Sequence, residues 1–386
     1  MTQPAPLTRG LLALLAATCG LLVAALYFSQ PLSALIAADL GLAPESAGLL
    51  VTLTQVGYCA GLVLLTPLGD IVENKRLVIV TMCGSALSLA LAALAPNGSS
   101  FLAASLLVGL TACAVQMLVP LGAHLAPPER RGRVVGTITG GLLLGIMLAR
   151  PASSAIAGMA GWRVVFGVAA VVVLLFAAVL ARRLQPLQPA HSASYGSLIA
   201  SLGTVFATQP VLRKRALSHA ALFATFSLFW TAVPWLLLAQ GYTQHAIALF
   251  ALAGAGGTLI APVAGRLADH GHTRAVTIAA MLITSLCFAL TWQGGPMWLM
   301  VLAAIAIDAG VQANHVVGQR EVLLVDPVLR NRLNSVYMAV VFAGAALASS
   351  MAGPLFHHGW HGVAVAGALL PLLALAIYLA HGSRAR

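Results

Sequence analysis

Charged residues are scarce in this chain. They make up 8% of its 386 residues, whereas 60% of the residues are hydrophobic; a soluble domain averages about 25% charged residues. A water-soluble fold of this length cannot bury so many apolar side chains. The composition therefore excludes an ordinary soluble domain. It indicates a polytopic membrane protein, and the long apolar runs favour helices over the strands of a barrel.

Acidic residues are the rarer of the two charge types. There are nine Asp and Glu against twenty Lys and Arg, which gives a net charge of +11. A strongly basic chain can bind nucleic acid. Here, however, the basic residues lie in short loops between apolar runs, which the positive-inside rule for membrane proteins explains. We therefore expect no nucleic-acid partner.

Reactive cysteines and catalytic motifs are also missing. All five cysteines lie within apolar runs, and no Cys-x-x-Cys spacing occurs, so we expect neither a disulfide nor a metal site. The sequence contains no Gly-x-x-x-x-Gly-Lys-Ser/Thr, which excludes an ATP-driven pump on this chain, and no His-Glu-x-x-His or Gly-x-Ser-x-Gly. We predict that the protein is not an enzyme and uses no cofactor.

The apolar runs that are present number twelve, and each can cross a ~30 Å bilayer core, which takes about 20 helical residues. We number them helices 1 to 12, with predicted bounds 10–36, 46–69, 77–96, 100–126, 134–158, 163–184, 216–239, 244–266, 274–293, 296–320, 332–354 and 361–381. Most connections are very short, so neighbouring helices are antiparallel.

One long connection divides the helices six and six. We predict an N-terminal bundle over residues 1–184, a cytoplasmic linker over 185–215 and a C-terminal bundle over 216–386. Leu198, Ile199, Leu202 and Val205 recur at helical spacing in the linker, which predicts a short amphipathic helix on the membrane surface.

The basic residues also predict the orientation. With the N-terminus inside, eighteen of the twenty Lys and Arg lie in or beside cytoplasmic segments; Arg150 and Arg163 are the exceptions. This asymmetry predicts that both termini are cytoplasmic and that the number of helices is even. The predicted location is a bacterial inner (plasma) membrane, with the lipid bilayer as the immediate partner.

A charged loop occurs twice in the chain. The first copy is 66–76, between helices 2 and 3, and the second is 265–274, between helices 8 and 9. At an offset of 199 residues Asp70 aligns with Asp269, and Lys75 with Arg274. Arginines follow each Asp at the same intervals of 61 and 63 residues. The chain therefore consists of two similar halves. The arginines concerned are Arg131, Arg133, Arg330 and Arg332.

Two six-helix halves with this repeated loop resemble the major facilitator superfamily of secondary transporters. The loop is similar to that family's Gly-x-Leu-x-Asp-Arg-x-Gly-Arg-Arg motif, although Thr66 and Ile71 replace the leading Gly and the central Arg of the first copy. The resemblance implies an all-α fold of twelve transmembrane helices in two pseudo-symmetric bundles. It also implies a monomer, a small-molecule substrate and a proton gradient as energy source. The matching residues are Leu68, Asp70, Lys75 and Arg76 in the first copy, and Gly265, Leu267, Asp269 and Arg274 in the second.

Within that family the chain most resembles the proton-driven efflux permeases of the drug and arabinose type. The resemblance rests on the segments 27–32, 36–41 and 127–133. Two features differ. Those permeases usually carry an Arg in helix 4, where this chain has Gln116. Their Gly-rich helix 5 ends in Gly-Pro, whereas here Gly136, Gly140, Gly141 and Gly145 lead into Arg150-Pro151.

The family fold places helix 2 beside helix 11 and helix 8 beside helix 5. The resemblance therefore implies two latches at the inner surface. Asp70 would face the N-terminus of helix 11, with Arg330 and Arg332. Asp269 would face helix 5, with Arg131 and Arg133. The alternative is that these residues are only topology signals and helix caps.

Asp308 is the one acidic residue predicted to lie mid-membrane. It follows Pro296 by twelve residues, about 18 Å into a ~30 Å core. Gln312 and His315 follow at i+4 and i+7, on the same helix face. Intramembrane carboxylates are costly and usually functional, so we predict that Asp308 and His315 carry protons. The alternatives are a structural carboxylate bonded to a neighbouring helix and a histidine near the inner interface.

Further polar residues stand in helices that border the cavity in this family. Arg150 can either extend outward to the interface or face the cavity to hold an anionic substrate or a gate. The others predict a mostly apolar cavity with few polar groups, or alternatively packing and interhelical hydrogen bonds. They are Tyr27, Gln30, Thr52, Gln55, Tyr58, Gln116, Ser227, Trp230, Thr231, Trp235, Gln312 and Tyr337.

The function we expect is export of a small organic molecule, drug-like, amphipathic or sugar-like, in exchange for protons, by alternating access between the two halves. One alternative is uptake or facilitated exchange of a sugar or organic anion, with Arg150 as the selectivity residue. A different class is a membrane sensor that transports nothing. Two gating loops favour a transporter, because a protein fixed in one state would not need both.

Overall fold

In the computed structural model, residues 8–189, 194–326, 329–357 and 359–380 are described. No strand occurs within those ranges. Eleven helical spans are long and apolar enough to cross a membrane, and a bent pair of helices at the start of the described chain forms the twelfth. The all-helical architecture with twelve spans is therefore confirmed.

The first half contains helices 1 to 6. Their bounds are Arg9–Ala24 with Ser29–Asp39 for helix 1, Ala47–Leu64 for helix 2, Asn74–Ala93 for helix 3, Gly98–Ala112 with Ala114–His124 for helix 4, Arg131–Ala160 for helix 5 and Trp162–Arg183 for helix 6. Short 3₁₀ turns, Pro44–Ser46 and Thr66–Asp70, flank helix 2, and a third, Pro128–Arg130, precedes helix 5.

The second half repeats this order after a linker helix, Tyr195–Thr208. The bounds are Pro210–Ala239 for helix 7, Gln244–Ala251 with Ala253–Thr258 and Ala261–Asp269 for helix 8, Thr273–Leu290 for helix 9, Met297–Leu324 for helix 10, Arg330–His357 for helix 11 and Trp360–Ala380 for helix 12. Helix 7 thus begins six residues before the predicted domain boundary at 216, so Arg213 to Arg215 belong to it.

Glycines let helices cross with their backbones in contact. A Cβ on Gly145 of helix 5 would lie 2.0 Å from the Gly20 carbonyl oxygen of helix 1. In the second half, a Cβ on Gly344 of helix 11 would lie 2.5 Å from the Ala220 carbonyl oxygen of helix 7. Such close crossings are typical of membrane helices. In lipid there is no hydrophobic driving force between helices, and small residues let the backbones approach closely enough for van der Waals packing to hold them together. Gly344 follows Gly145 by the same 199 residues that relate the two charged loops, so the packing repeats with the sequence.

We call the side of the bundle with the loops after helices 2, 4, 8 and 10 the basic side, and the opposite side the far side. The two halves are in close contact on the far side. Trp235 donates to the Ser33 hydroxyl at 2.9 Å, and Gln244 donates to the Pro31 carbonyl and the Ser154 hydroxyl, both at 3.2 Å. Arg163, the basic residue predicted on this side, pairs with Asp39.

Helices 5 and 8 are arranged differently along their length. The first two segments of helix 8 pack against helix 5, whereas its last segment, Ala261–Asp269, packs on helices 9 and 10 of its own half. On the basic half of helix 5, a Cβ on Gly132, Gly136 or Gly140 would meet nothing within 4 Å. The two halves are therefore held together on the far side and splayed between helices 5 and 8 on the basic side.

Candidate functional site

A buried arginine lies at the centre of the molecule. Arg150 is only 2% exposed, and its Nε donates to the Gln30 side-chain oxygen at 2.8 Å. The guanidinium carbon lies 5.1, 4.8 and 4.2 Å from the ring centroids of Tyr27, Phe226 and Trp230. Three aromatic faces thus surround the cation. Its Nη2 has no hydrogen-bond partner among the described residues.

Asp308 lies next to this aromatic cage. It is 6% exposed, and one carboxylate oxygen accepts from the Trp230 indole N–H at 2.8 Å. Helix 8 closes the other side through glycines: a Cβ on Gly254 would lie 2.7 Å from the Asp308 Oδ2, and one on Gly257 2.4 Å from its Cβ. Trp230 therefore bridges the two charges, with its ring over Arg150 and its N–H on Asp308.

This arrangement links two opposite charges without a direct ion pair. Each charge on its own would be costly inside a membrane, and together they leave the centre of the protein neutral. Charges interact strongly at low effective dielectric. Protonation of Asp308 therefore changes the electrostatic environment of Arg150, and any ligand that contacts Arg150 changes that of Asp308.

The structure brings together Arg150, Tyr27, Gln30, Trp230 and Asp308 of the predicted site. Thr231 is also buried in helix 7, and its hydroxyl has no partner among the described residues. Gln312 is half-buried on helix 10, one turn beyond Asp308.

Other predicted lining residues lie in the seam between the halves instead. Gln55 of helix 2 donates to the Ser227 hydroxyl at 2.9 Å and accepts from the Ser349 hydroxyl at 3.0 Å. Gln116 donates to the Tyr58 hydroxyl at 3.1 Å, and its oxygen accepts from Asn334 of helix 11, also at 3.1 Å. Their polar groups are engaged in hydrogen bonds, and in this conformation they join the halves rather than line open space. Trp235 likewise bonds across the far side, as described above.

His315 and Tyr337 belong to a separate polar cluster towards the basic side. His315 contacts His219 of helix 7, and the Tyr337 ring lies parallel to that of His219, with centroids 5.9 Å apart. Neither residue contacts Asp308, which lies two helical turns away on helix 10.

The predicted gating residues of both copies do not form the predicted latches in this conformation. Asp269 pairs with Arg320 of its own half at 2.7 Å. Among the described residues Asp70 has no ion-pair partner within 4.0 Å. Arg131 and Arg330 each donate to a backbone carbonyl nearby, Arg76 and Arg133 are exposed, and Arg332 is half-buried. The remaining motif residues, Lys75, Gly265 and Arg274, lie at the same surface. The splayed gap between helices 5 and 8 explains why Asp269 is apart from Arg131 and Arg133.

Sequence reasoning missed several residues of the two clusters. Phe226 completes the cage around Arg150, and His219 and Asn314 complete the histidine cluster. A signal for His219 was present, because it stands at i+4 from Arg215 near the start of a helix whose remainder is mostly apolar. Phe226 gave no signal, since an aromatic residue in a membrane helix is most often packing.

Comparisons with known proteins agree with the geometry. "Uncharacterized transporter YgaY" of Escherichia coli O157:H7 is 38% identical over 383 residues, 98% of this chain and 97% of that protein. "Probable transporter SCO4007" of Streptomyces coelicolor is 36% identical over 373 residues, 94% and 86% of the two chains. Among solved structures, a bacterial homologue of the human lysosomal transporter Spinster, inward-facing and occupied, has a TM-score of 0.75 at 15% identity and 98% coverage of both chains. The family model of the Major Facilitator Superfamily matches residues 12–317, and the chain belongs to that superfamily of transporters.

Proposed function

We propose that this transporter exports a small organic molecule in exchange for protons, with Asp308 as the proton-binding group. One observation carries the proposal. Asp308 is the only buried acidic side chain among the described residues, and it is connected through Trp230 to the buried cation of Arg150. A carboxylate in that position can take up a proton from one side of the membrane and release it to the other as the halves rock.

The charge balance gives the reason for exchange. With Asp308 ionised, its charge and that of Arg150 cancel, and a bound proton leaves the site with a net positive charge. A cationic substrate and a proton then compete for the same compensating carboxylate. Binding of one favours release of the other, which is the coupling that an antiporter needs. A neutral amphipathic substrate finds three aromatic faces, with Gln30 and Thr231 as polar partners.

A second candidate is co-transport of an organic anion with a proton. The observation that favours it is the buried Nη2 of Arg150, which has no partner among the described residues. An anion bound there would pair with the Arg150 guanidinium, whose charge now balances that of Asp308. The anion and a proton would then bind together, so uptake of an anion down a proton gradient follows from the same residues.

We also propose that the basic side faces the cytoplasm of a bacterium, with both termini there and the inner membrane as the location. The support is the distribution of Lys and Arg. In this orientation the conformation described here is splayed towards the inside. The latches of Asp70 and Asp269 would then form when the inside closes, and Arg330, Arg332, Arg131 and Arg133 are their proposed partners.

The test is transport by the purified protein in proteoliposomes with an imposed pH gradient. The probes are ethidium as a cation, arabinose as a neutral molecule and benzoate as an anion. We expect ethidium or arabinose to move against the proton flux, and Asp308→Asn to lower the gradient-driven flux at least tenfold while exchange without a gradient persists. Glu129→Gln, an exposed acid on the basic side, is the matched control and should behave as wild type.

Gradient-driven flux that survives Asp308→Asn would contradict the proposal. Movement of benzoate in the direction of the proton flux, with no movement of the other two probes, would instead establish the second candidate.

A further inference from the structure

A cluster of hydrogen-bonded imidazoles lies between Asp308 and the basic side, wholly within the second half. His219 of helix 7 is fully buried. Its Nδ1 lies 2.8 Å from the amide nitrogen of Asn314, and its Nε2 lies 3.2 Å from the Nδ1 of His315, both on helix 10. Both ring nitrogens of His219 are therefore engaged, and the two histidines share one hydrogen bond.

The directions of these bonds fix where the protons are. When Asn314 donates to Nδ1, His219 carries its proton on Nε2 and donates to His315. The amide oxygen of Asn314 is then buried with no partner among the described residues. This unpartnered acceptor is adjacent to Nδ1, the ring nitrogen of His219 that has no proton.

One added proton changes this chain in a defined way. If the Asn314 amide rotates by a half turn, its oxygen faces the Nδ1 of His219. An imidazolium at His219 then donates from both nitrogens, to the Asn314 oxygen and to the Nδ1 of His315. The amide nitrogen loses its acceptor while the oxygen gains a donor, so the amide keeps one hydrogen bond to His219. Both N–H groups of the imidazolium then have acceptors.

The surroundings limit the two histidines to one proton beyond those that the neutral rings carry. Arg215, one turn earlier on helix 7, is 1% exposed, but Glu321 of helix 10 accepts from its Nε at 2.5 Å and balances its charge. Helix 9 contributes the Thr277 hydroxyl, which accepts from the Arg215 Nη1 at 2.9 Å. Helix 11 contributes Tyr337, stacked on His219. A second proton would place two cations within 3.2 Å of each other, and like charges at that separation oppose ionisation.

The remaining helix of this group adds only an aromatic face. Tyr378 of helix 12 lies 4.7 Å under the Arg215 guanidinium and 4.1 Å from the Lys214 ammonium. Lys214 is the further cation facing the cluster, and it lies at the partly exposed end of helix 7.

We propose that His219 and His315 form a second proton-binding site that holds one shared proton. The site lies seven residues from Asp308 along helix 10, about 10 Å, towards the basic side. Its role as an intermediate binding site for protons on their way to or from Asp308 rests on the proposed function. The binding of the proton itself does not.

The internal repeat supports a site confined to the second half. Gln116 of helix 4 precedes His315 by 199 residues, and Gly109 precedes Asp308 by the same number. Neither counterpart can titrate. Gln116 instead bonds Tyr58 and Asn334, so the equivalent position in the first half joins the two halves and holds no proton.

The experiment is NMR of protein labelled with ¹⁵N-histidine, in lipid nanodiscs, as the pH is lowered from 8 to 4. In the wild type we expect a ¹⁵N–¹⁵N coupling across one N–H···N hydrogen bond and uptake of a single proton by the coupled rings. His219→Gln and His315→Gln should each abolish the coupling. His245→Gln and His361→Gln, which alter exposed histidines outside the cluster, should leave it unchanged.

Three results would overturn the proposal: no coupling in the wild type, no proton uptake by the coupled rings between pH 8 and 4, or uptake of two protons by independent rings. All three are measured on unaltered protein, so a variant that fails to fold does not affect them. The measurement needs no substrate. A failure of Asp308→Asn to alter transport would therefore count against the proposed function alone, and absence of the coupling would count against the histidine site alone.

Discussion

At the scale of single residues, Trp230 has the most consequential position. Its ring covers Arg150 at 4.2 Å, and its indole N–H is 2.8 Å from Asp308. A desolvated cation–π contact contributes about 2 kcal/mol. A hydrogen bond to a carboxylate contributes about 1.5–3 kcal/mol in proteins generally, although hydrogen bonds between membrane helices average less, about 0.6 kcal/mol. One side chain therefore stabilises both buried charges.

A double-mutant cycle tests this bridge. Trp230→Phe keeps an aromatic ring near Arg150, removes the donor to Asp308 and leaves a smaller side chain in a buried position. Measured by chemical unfolding in detergent, Trp230→Phe and Asp308→Asn should show a coupling energy of about 1–2 kcal/mol, because the two side chains share a charge-assisted hydrogen bond. Trp235→Phe with Asp308→Asn is the control pair. Additive effects of Trp230→Phe and Asp308→Asn would show that the carboxylate charge adds nothing to the contact with Trp230, because the Asn oxygen can still accept from the indole N–H.

The same residues show what the sequence reveals. Arg150 and Asp308 could be identified from the sequence, since a charged residue stands out in an apolar helix. The bridge could not, because Trp230 and Asp308 are 78 residues apart and no pattern within one helix encodes which faces of helices 5, 7 and 10 meet. The polarity of Tyr58 and Gln116 predicts that they face the interior of the protein. Their hydrogen bond to each other could not be predicted, because it depends on how the helices pack.

At the scale of helices, helix 8 is shaped by its approach to helix 10. It is divided into three segments and carries Gly254, Gly256 and Gly257 where it passes Asp308. Only Gly254 and Gly257 are so close to helix 10 that a Cβ would clash with it. A Cβ on Gly256 would meet the Ile305 side chain at 3.5 Å, an ordinary contact, whereas one on Gly257 would lie 2.7 Å from the Ala309 backbone nitrogen.

This difference predicts opposite outcomes for two neighbouring substitutions. Gly257→Ala should destabilise the protein by about 1–3 kcal/mol, because backbone atoms of helix 10 must move to admit the methyl group. Gly256→Ala should leave stability unchanged or raise it by up to about 1 kcal/mol, since alanine favours a helix. Thermal unfolding of the two variants in the same detergent measures both. Equal effects would mean that helix 8 does not pack on helix 10 as described.

At the scale of the whole molecule, the twelve spans and the internal repeat could be read from the sequence. Long apolar runs and an offset of 199 residues are properties of the chain itself. The conformation could not be read in this way. The same charged residues suit a closed basic side, with Asp70 and Asp269 latched, and the splayed basic side found here, with Asp269 on Arg320. The choice depends on a free-energy difference between two packings, which no local pattern records.

The latch hypothesis predicts a shift between these two conformations. Asp70→Asn removes a charge that contributes only when the basic side is closed, so it should favour the splayed state. In a cysteine-free background, a Gly136→Cys reporter, whose side chain points to open space, should react with a maleimide at least twice as fast when Asp70→Asn is added. Glu129→Gln is the control. An unchanged rate would leave Asp70 as a topology signal or helix cap.

The hydrogen bonds along the seam between helices 2 and 11 also have a kinetic consequence. Thr52 and Gln55 both bond Ser349, at 2.9 and 3.0 Å, and Gln55 also bonds Ser227. To open the far side, the protein must break these bonds before water reaches them, at about 0.6 kcal/mol or more each. The barrier between the two states is therefore partly enthalpic. If opening of this seam limits the proposed transport cycle, turnover should rise steeply with temperature.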